Sequence, residues 1–545
     1  MPIKVLPPEV TSKIAAGEVI ERPSSVAKEL LENSLDAGAR EIVVEAHNGG
    51  VSYLRVADNG CGLSAADVEV AVRRHATSKI TKLDDLEHIS TLGFRGEALP
   101  SIAAVAEVEI LTRDMGSSAA SYLHLENGRI ISREKKSRPQ GTSITVRHLF
   151  RSLPARLKFL KSSTTESGHI ASLVSQYALA FPEVKFQLTI DGRTSLQTPG
   201  DGDLRSAVSA VYGLETAQKM LEVEGTDGFM YIQGLASPPS VQRSNRSYLS
   251  FFVNRRYVRN SLLAKAVETA FEGLLMTGRH PVVILNVAIP PEEVDVNVHP
   301  SKQEVKFRNN SSVFTAALKI IRATLEKSPL PGVRLESETA EVQSLWERFP
   351  HASTTLPSLQ TLGQLSANYI LAEGEGGLYL IDQHAAHERI LFDNIVAQRA
   401  RKQPDIQGML EPLSIELSPS QEEVMKHIQE LLAEFGFTIE PFGSRTYLVR
   451  AVPSMLDSTN LVETLKELLD EIGAEQDTAQ RELKAAQSLA CHGAIRAGQQ
   501  LNTQEMQNLI RQLEHTSQPR TCPHGRPTMI HLSSQQLKKE FGRTG

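Results

Sequence analysis

The sequence predicts a multidomain protein of mixed α/β (α+β) class. Three observations carry this. At 545 residues the chain exceeds what a single hydrophobic core supports. Helix-period apolar segments interleave with short alternating strands over most of its length. A stretch at about 329–355, rich in Ser, Thr, Pro and Glu, interrupts the packed pattern and reads as a flexible linker. Hydrophobic residues at 40% and charged residues at 22% match an ordinary globular protein. The net charge of -6 means that any contact with nucleic acid must come from local basic patches. The three cysteines, Cys61, Cys491 and Cys522, are too few for a disulfide framework and fit a reducing compartment. No apolar run approaches a membrane span and the N-terminus has no signal core, so a cytoplasmic protein without a membrane partner is expected.

In chain order, residues 12–40 read as helices, with Arg22-Pro-Ser-Ser as cap and breaker and Val26, Leu30 and Ser34 on one side. Glu41–Ala57 reads as two strands around the turn at Asn48-Gly-Gly. Ala65–His75 reads as a helix and residues 142–146 as a strand. Thr198-Pro-Gly-Asp-Gly-Asp marks a boundary, giving a first domain over 1–203 and a second α/β domain over 204–328, with strands at Ser247–Val253 and Val282–Val287. After the linker, packed structure resumes over 356–545. The expected elements are a strand at Leu378–Asp382 and helices at Ala385–Arg399, Ser418–Phe435, Leu461–Ile472, Gln480–Arg496 and Thr503–Leu513.

The N-terminal half carries a nucleotide-binding pattern without a P-loop motif. In Glu29-Leu-Leu-Glu-Asn33, Glu29 and Asn33 lie four apart on one helix face. The carboxylate can orient and deprotonate a water, and the amide oxygen suits Mg²⁺. In Asp58-Asn-Gly60-Cys-Gly62 a carboxylate can accept from an adenine amino group while Gly60 and Gly62 let backbone approach a flat ring. Cys61 within it reads as a small buried filler. Gly93-Phe-Arg-Gly96-Glu-Ala-Leu99 opens a helix whose free N–H groups can bind phosphates.

Together with Ile14-Ala-Ala-Gly-Glu-Val, Glu32-Asn-Ser-Leu-Asp-Ala-Gly-Ala and Arg74-His-Ala-Thr-Ser-Lys-Ile, these motifs resemble the GHKL ATPases, and within them the MutL family of DNA mismatch repair. The resemblance runs from residue 1 to about 325. It implies a Bergerat-type ATPase sandwich followed by a transducer-like domain. It also implies ATP and Mg²⁺ as ligands, Glu29 as general base and Asn33 as the Mg²⁺ ligand. Asp58 and Gly62 would lie at adenine, Thr77, Ser78 and Lys79 on a nucleotide lid, and Gly93, Phe94, Arg95 and Gly96 around the phosphates. Thr142 matches the last motif of the group, and Lys302 the lysine that the second domain extends to the γ-phosphate.

Between Val241 and Val267 lie Arg243, Arg246, Arg255, Arg256, Arg259 and Lys265, with no acid and with four interleaved aromatic residues. Strand alternation would place several of these arginines on one exposed side as a sequence-independent track for DNA phosphates. In MutL proteins the Phe-Val-Asn-Arg segment lies near a DNA-binding groove, so double-stranded DNA is the expected partner of Arg243, Arg246, Arg255 and Arg256. A second basic cluster comprises Arg151, Arg156, Lys158 and Lys161.

Carboxylate, imidazole and thiolate gather again in the C-terminal region. Asp382 ends a strand, and His384 and Glu388 share a face of the helix that follows. Cys522-Pro-His524 and Ala490-Cys491-His492 add donors without zinc-finger spacing. Singly, Asp382 reads as a helix cap, Glu388 as a surface charge beside Arg389, and His387 as a surface imidazole. Together with the terminal Phe541-Gly-Arg543, these segments resemble the endonuclease motifs of nicking MutL homologues. The resemblance implies a latent endonuclease using Mn²⁺ or Mg²⁺, with zinc in part of the site, and the ligand set Asp382, His384, Glu388, Cys491, Cys522 and His524. Asp382 and Glu388 would serve catalysis. Two positions depart from the family pattern: Asp393 replaces a glutamate, and His492 replaces Arg or Lys. The motif pieces bracket about residues 402–480, an external subdomain in which Gln407, Leu410 and Pro412 fit the clamp-binding pattern Q-x-x-L-x-P. The expected protein is a homodimer that couples MutS to strand incision, with the replication sliding clamp as a further partner. The alternative is a non-nucleolytic ATP-driven matchmaker whose C-terminal metal ligands are structural.

Overall fold

The computed structural model describes residues 20–73, 76–79, 91–93, 96–275, 279–295, 305–326, 356–457, 460–475, 477–496 and 498–540. The chain divides into two compact units, an N-terminal one that also takes in Glu416–Val424 and a C-terminal one formed by the rest.

The N-terminal unit is organised by an eight-stranded sheet. Its strands are β1 (Glu41–His47), β2 (Tyr53–Asp58), β3 (Glu107–Arg113), β4 (Ala120–Glu126), β5 (Arg129–Lys136), β6 (Gly141–Arg147), β7 (Lys185–Ile190) and β8 (Arg193–Gln197). They lie in the order β5-β4-β3-β6-β2-β1-β7-β8. The predicted hairpin forms as β1 and β2, antiparallel from Ile42↔Asp58 to His47↔Tyr53. Its turn is a short 3-10 segment in which Gly49 has φ +66, the conformation that glycine adopts at least cost. β1 also pairs in parallel with β7, through a crossover that contains β2 to β6 and the long helix Ser163–Ala180.

One sheet face is apolar. Ile42, Val44, Leu54, Val56, Val108, Ile110 and Val146 are buried on it at alternate strand positions. Against it pack Leu30 and Leu31 of helix Pro23–Asp36, Ile102 of helix Ala98–Val105, and Ile170 and Val174 of helix Ser163–Ala180, in one cluster. Each such side chain contributes about 1.5–3 kcal/mol of burial free energy. The other face carries charged and aromatic side chains, among them Tyr53, Arg55, Glu109 and Arg147.

A five-stranded sheet with its own core follows, in the order Arg256–Val258, Leu249–Val253, Val283–Ala288, Met230–Ala236, Leu221–Asp227. Helices Ser261–Ala270 and Asn310–Glu326 bury Leu263, Val267, Ala317 and Ile321 against it. The expected strand from Ser247 begins at Leu249, because Asn245 caps a 3-10 turn over Arg246–Tyr248.

In the C-terminal unit a four-stranded sheet takes three strands from 360–382 and the fourth, Met529–Ser533, from near the end of the chain. Helices Gln383–Ala400 and Thr503–Glu514 bury Ile390 and Ile510 beneath it. A separate three-stranded sheet, ordered Ile406–Glu416, Thr446–Pro453, Thr438–Gly443, forms between these contributions. Among the described residues no helix is long and apolar enough to cross a membrane.

Candidate nucleotide pocket and candidate metal centre

The helix Pro23–Asp36 presents Glu29, Asn33 and Asp36 along one side. Glu29 is a quarter exposed, with Lys28 Nζ 3.2 Å from its Oε1. The same ammonium lies 2.9 Å from the buried Glu32, which also accepts from Tyr177 Oη at 2.8 Å. Asn33 Oδ1 accepts from Lys79 Nζ at 3.0 Å, and Asp36 Oδ2 holds that ammonium at 2.5 Å. Oxygen donors that gather around an ammonium are the hard type that suits Mg²⁺. Asp36 also accepts the backbone N–H groups of Leu92 and Gly93, at 2.9 and 3.0 Å. It thereby joins the Lys79 segment, the glycine segment and the helix. Sequence reading missed it, although its place three residues after Asn33 was the available signal.

Asp58, at the end of β2, is buried and accepts from Ser34 Oγ at 2.9 Å, Gly60 N at 2.9 Å and Thr142 N at 3.1 Å. Burial pushes its carboxyl above the ordinary carboxylate range, against the pull of those three donors and of Arg138. Gly62 has φ +72, and a Cβ there would lie 2.1 Å from the Arg113 carbonyl oxygen, so the chain passes too close for any side chain. Gly96 is equally constrained: its Cβ would lie 2.5 Å from Ala76 O, which brings the segment of Thr77, Ser78 and Lys79 beside it. Thr142 Oγ1 lies 3.0 Å from that of the buried Thr112, which also accepts from Leu63 N. Glu29, Asn33, Lys79 and Gly93 are thus joined through one helix, and Asp58 and Thr142 through a direct hydrogen bond. Phe94, Arg95 and Lys302 lie outside the described residues, as do Ile14–Val19, Arg74, His75, the whole linker 329–355 and the terminal Phe541-Gly-Arg543. Cys61 is exposed, not the buried filler expected, because the tight Gly60 and Gly62 turns project it from the surface.

In the C-terminal unit the ligand atoms of His384, Glu388 and Cys491 all lie within 4.8 Å of one another. Helix Gln383–Ala400 supplies the first two one turn apart, and helix Thr478–Gly493 the third. Glu388 is buried, contrary to the surface charge expected of it alone. Its Oε1 lies 3.2 Å from His384 Nε2 and 4.0 Å from His524 Nε2. His384 Nδ1 faces the Ile495 carbonyl at 2.9 Å and must donate to it, which leaves Nε2 facing the cluster. Hydrogen bonds with Cys491 and Glu388 push the His384 imidazole up to about 11. Burial raises Glu388, but His384, Cys491 and His524 together hold its carboxyl below the usual range. Burial raises the Cys491 thiol.

Five further residues take the following places. Asp382 caps its helix, its Oδ1 accepting from His384 N and Ala385 N at 3.0 Å each, and its carboxylate is not among the clustered atoms. His387 is partly buried, not a surface group. Its Nδ1 accepts from Ile495 N at 3.0 Å, and burial, with the neighbouring charge of His384, pushes it down to about 4. The two histidines therefore hold both polar groups of Ile495, just beyond the helix that carries Cys491. Asp393 pairs with Arg389 at 3.3 Å and accepts from Ser517 N at 2.6 Å, while Arg389 Nε donates to Thr521 O at 2.7 Å. That network anchors the turn in which Cys522 N donates to Arg526 O. Cys522 itself is buried and outside the three-residue cluster. His492 points to Glu467, 3.2 Å away, and adds no donor.

Three family models match the chain. Residues 21–152 match the histidine kinase-, DNA gyrase B-, and HSP90-like ATPase. Residues 208–326 match the DNA mismatch repair protein C-terminal domain, and 362–501 the MutL C terminal dimerisation domain. The DNA mismatch repair protein MutL of Desulforudis audaxviator is 39% identical over 99% of each chain. That of Geobacillus kaustophilus is 38% identical, also over 99% of each. The chain belongs to the MutL family of DNA mismatch repair proteins. A solved N-terminal domain of a DNA repair protein is 26% identical at a TM-score of 0.51, covering 58% of this chain and 98% of that one. As a MutL-family member the chain combines an N-terminal ATPase of the gyrase B and HSP90 type with a C-terminal dimerisation domain.

The basic segment departs from a simple exposed track. Arg243 and Arg256 are buried. Arg256 donates to the carbonyls of Leu92 and Thr91 at 3.0 Å each, so it braces the chain next to Gly93. No exposed track forms here because the strand Arg256–Val258 is three residues long and buries both Arg256 and Val258. Arg246 and Arg255 do reach the surface, paired with Glu268 and Glu183. Gln407, Leu410 and Pro412 lie exposed on an edge strand of the three-stranded sheet, Leu410 fully so.

Proposed function

We propose that this MutL-family ATPase is also a latent metal-dependent endonuclease that nicks double-stranded DNA during mismatch repair. The observation that carries this reading is the buried Glu388 facing His384, Cys491 and His524. Three donors around a desolvated carboxylate fit a divalent ion, since buried charges are otherwise paired by cations. A bound ion supplies Lewis-acid stabilisation of charge at a phosphodiester. The soft Cys491 suits zinc and the carboxylate suits Mn²⁺ or Mg²⁺. Ile495 O orients His384, and the Arg389–Asp393 pair positions the turn bearing Cys522 and His524. In the N-terminal unit Glu29 would act as general base, Asn33 would hold Mg²⁺, and Asp58 and Gly62 would receive adenine, with Thr142 of the last motif hydrogen-bonded to Asp58. Thr77, Ser78 and Lys79 would lie on the nucleotide lid, Gly93, Phe94, Arg95 and Gly96 would cradle the phosphates, and Lys302 would reach the γ-phosphate.

The domain division at 203, 328 and 355, with 402–480 as an external subdomain, rests on the separate sheets; the first apolar core itself continues past 203 through Ala207, Val208 and Val211. A cytoplasmic location is supported by three free cysteines. Duplex DNA binds along the surface of Arg246 and Arg255. MutS recruits the dimer, and the exposed edge strand bearing Leu410 docks the sliding clamp. The second reading, a matchmaker with a structural metal, is favoured by one observation: the Asp382 carboxylate serves as a helix cap.

Incision of supercoiled plasmid with Mn²⁺ separates the two. The wild type is expected to nick, and Glu388→Lys to lose at least about 100-fold, more than an outer-shell change causes. Asp382→Asn keeps the cap and removes only the charge, so its loss of nicking assigns that carboxylate to catalysis. Nicking that survives both changes overturns the site. A wild type that binds metal without nicking, and is destabilised by Glu388→Lys, supports the matchmaker.

A further inference from the structure

A second cluster of metal-type donors lies in the N-terminal unit, away from the nucleotide pocket. Glu107 on β3 and Glu126 on β4 are direct cross-strand partners. Like charges opposed across an antiparallel pair repel. His124, two residues before Glu126 on the same strand face, places Nε2 3.1 Å from Glu107 Oε1 and 3.8 Å from Glu126 Oε1. The ligand atoms of these three residues lie within 4.8 Å of one another. A fourth donor arrives from the far end of β6. Just past that strand His148 has φ +53, and its Nε2 lies 3.9 Å from Glu107 Oε2. β3 and β4 thus deliver one imidazole and two carboxylates to one spot on the sheet face opposite the helices, and His148, beyond β6, stands beside Glu107 as a second imidazole within reach.

We propose that Glu107, His124, Glu126 and His148 form a second divalent transition-metal site. Two nitrogen and two oxygen donors suit a four-coordinate zinc-type ion, and the imidazoles disfavour Mg²⁺ or Ca²⁺, which prefer all-oxygen sets. The ion neutralises the opposed carboxylates and ties β3, β4 and the end of β6 together. None of the four residues belongs to the nucleotide pocket or to the cluster around Glu388.

The test is equilibrium dialysis of the full chain against Zn²⁺, followed by elemental analysis, for the wild type, for His124→Ala with His148→Ala, and for Glu107→Gln. Both variants are expected to bind about one ion fewer per chain than the wild type while keeping ATPase activity, which checks their folding. The same difference is expected in a background carrying Cys491→Ser and His384→Ala. Co²⁺ in that background should give d–d bands without thiolate charge transfer. Equal stoichiometry in wild type and both variants overturns the proposal and leaves the histidines as ion-pair partners of the two glutamates.

Discussion

The nucleotide pocket and the C-terminal cluster solve the problem of buried charge in opposite ways. Asp58 and Asp36 are satisfied by their own chain: three neutral donors for Asp58, and two backbone N–H groups with an ammonium for Asp36. Glu388, His384 and Cys491 are satisfied mainly by one another. The first arrangement is complete in itself. The second concentrates titratable groups, the condition under which a divalent ion gains most. Two partly buried histidines show the same contrast. His169 is pushed down to about 4, by burial first and then by Arg22, Lys161 and Arg259. His384 is pushed up to about 11 by hydrogen bonds with Cys491 and Glu388. Burial lowers both, and only the hydrogen-bond partners of His384 reverse the direction.

The largest expected effect tests whether the two regions are chemically separate. Glu29→Gln should lower ATP turnover by about 10²–10⁴-fold while ATP still binds. Mn²⁺-dependent nicking measured without nucleotide should be unchanged. A parallel fall in nucleotide-free nicking would break the separation.

A smaller effect concerns charges that are free to leave their partners. Arg246→Glu with Arg255→Glu should weaken duplex binding and make the slope of log K against log salt shallower by about 2, one unit per phosphate contact. Arg256→Glu should instead lower the unfolding temperature, because its partners are the Thr91 and Leu92 carbonyls. A salt slope unaffected by the double change would remove Arg246 and Arg255 from the DNA surface.

The smallest effect sharpens the histidine contrast. The folded-state value of His169 lies below its ordinary 6.5, so its contribution to stability is full above about 6.5 and is lost as pH falls toward about 4. Urea unfolding of His169→Gln should show a flatter decline over that window than the wild type. Identical pH profiles would mean that His169 is not held neutral by the fold.

Much of the fold was legible because its signals are local. The hairpin around Asn48-Gly-Gly, the helix after Asp382 and the helix from Thr503 follow from turn chemistry, capping and period. The spacing of Glu29 and Asn33, and of His384 and Glu388, was readable because a helix turn brings such residues together. The errors were of another kind. Arg243 and Arg256 turned inward, Cys61 outward, and His387 and Asp393 became braces for Ile495 and for the turn before Cys522. Asp36 went unnoticed although it holds three segments together.

By itself the sequence determined which segments become helix or strand, which donors sit one turn apart, and the family to which the chain belongs. Period and motif spacing are properties of the chain and survive without tertiary contacts. Only the tertiary structure decided that Cys491 joins His384 and Glu388 while Asp382 remains a cap, and that Glu107 and Glu126 meet His124 and His148 on one sheet face. Those groupings depend on strand register and on how helices pack, and a one-residue change of register would turn every one of those strand side chains to the other face.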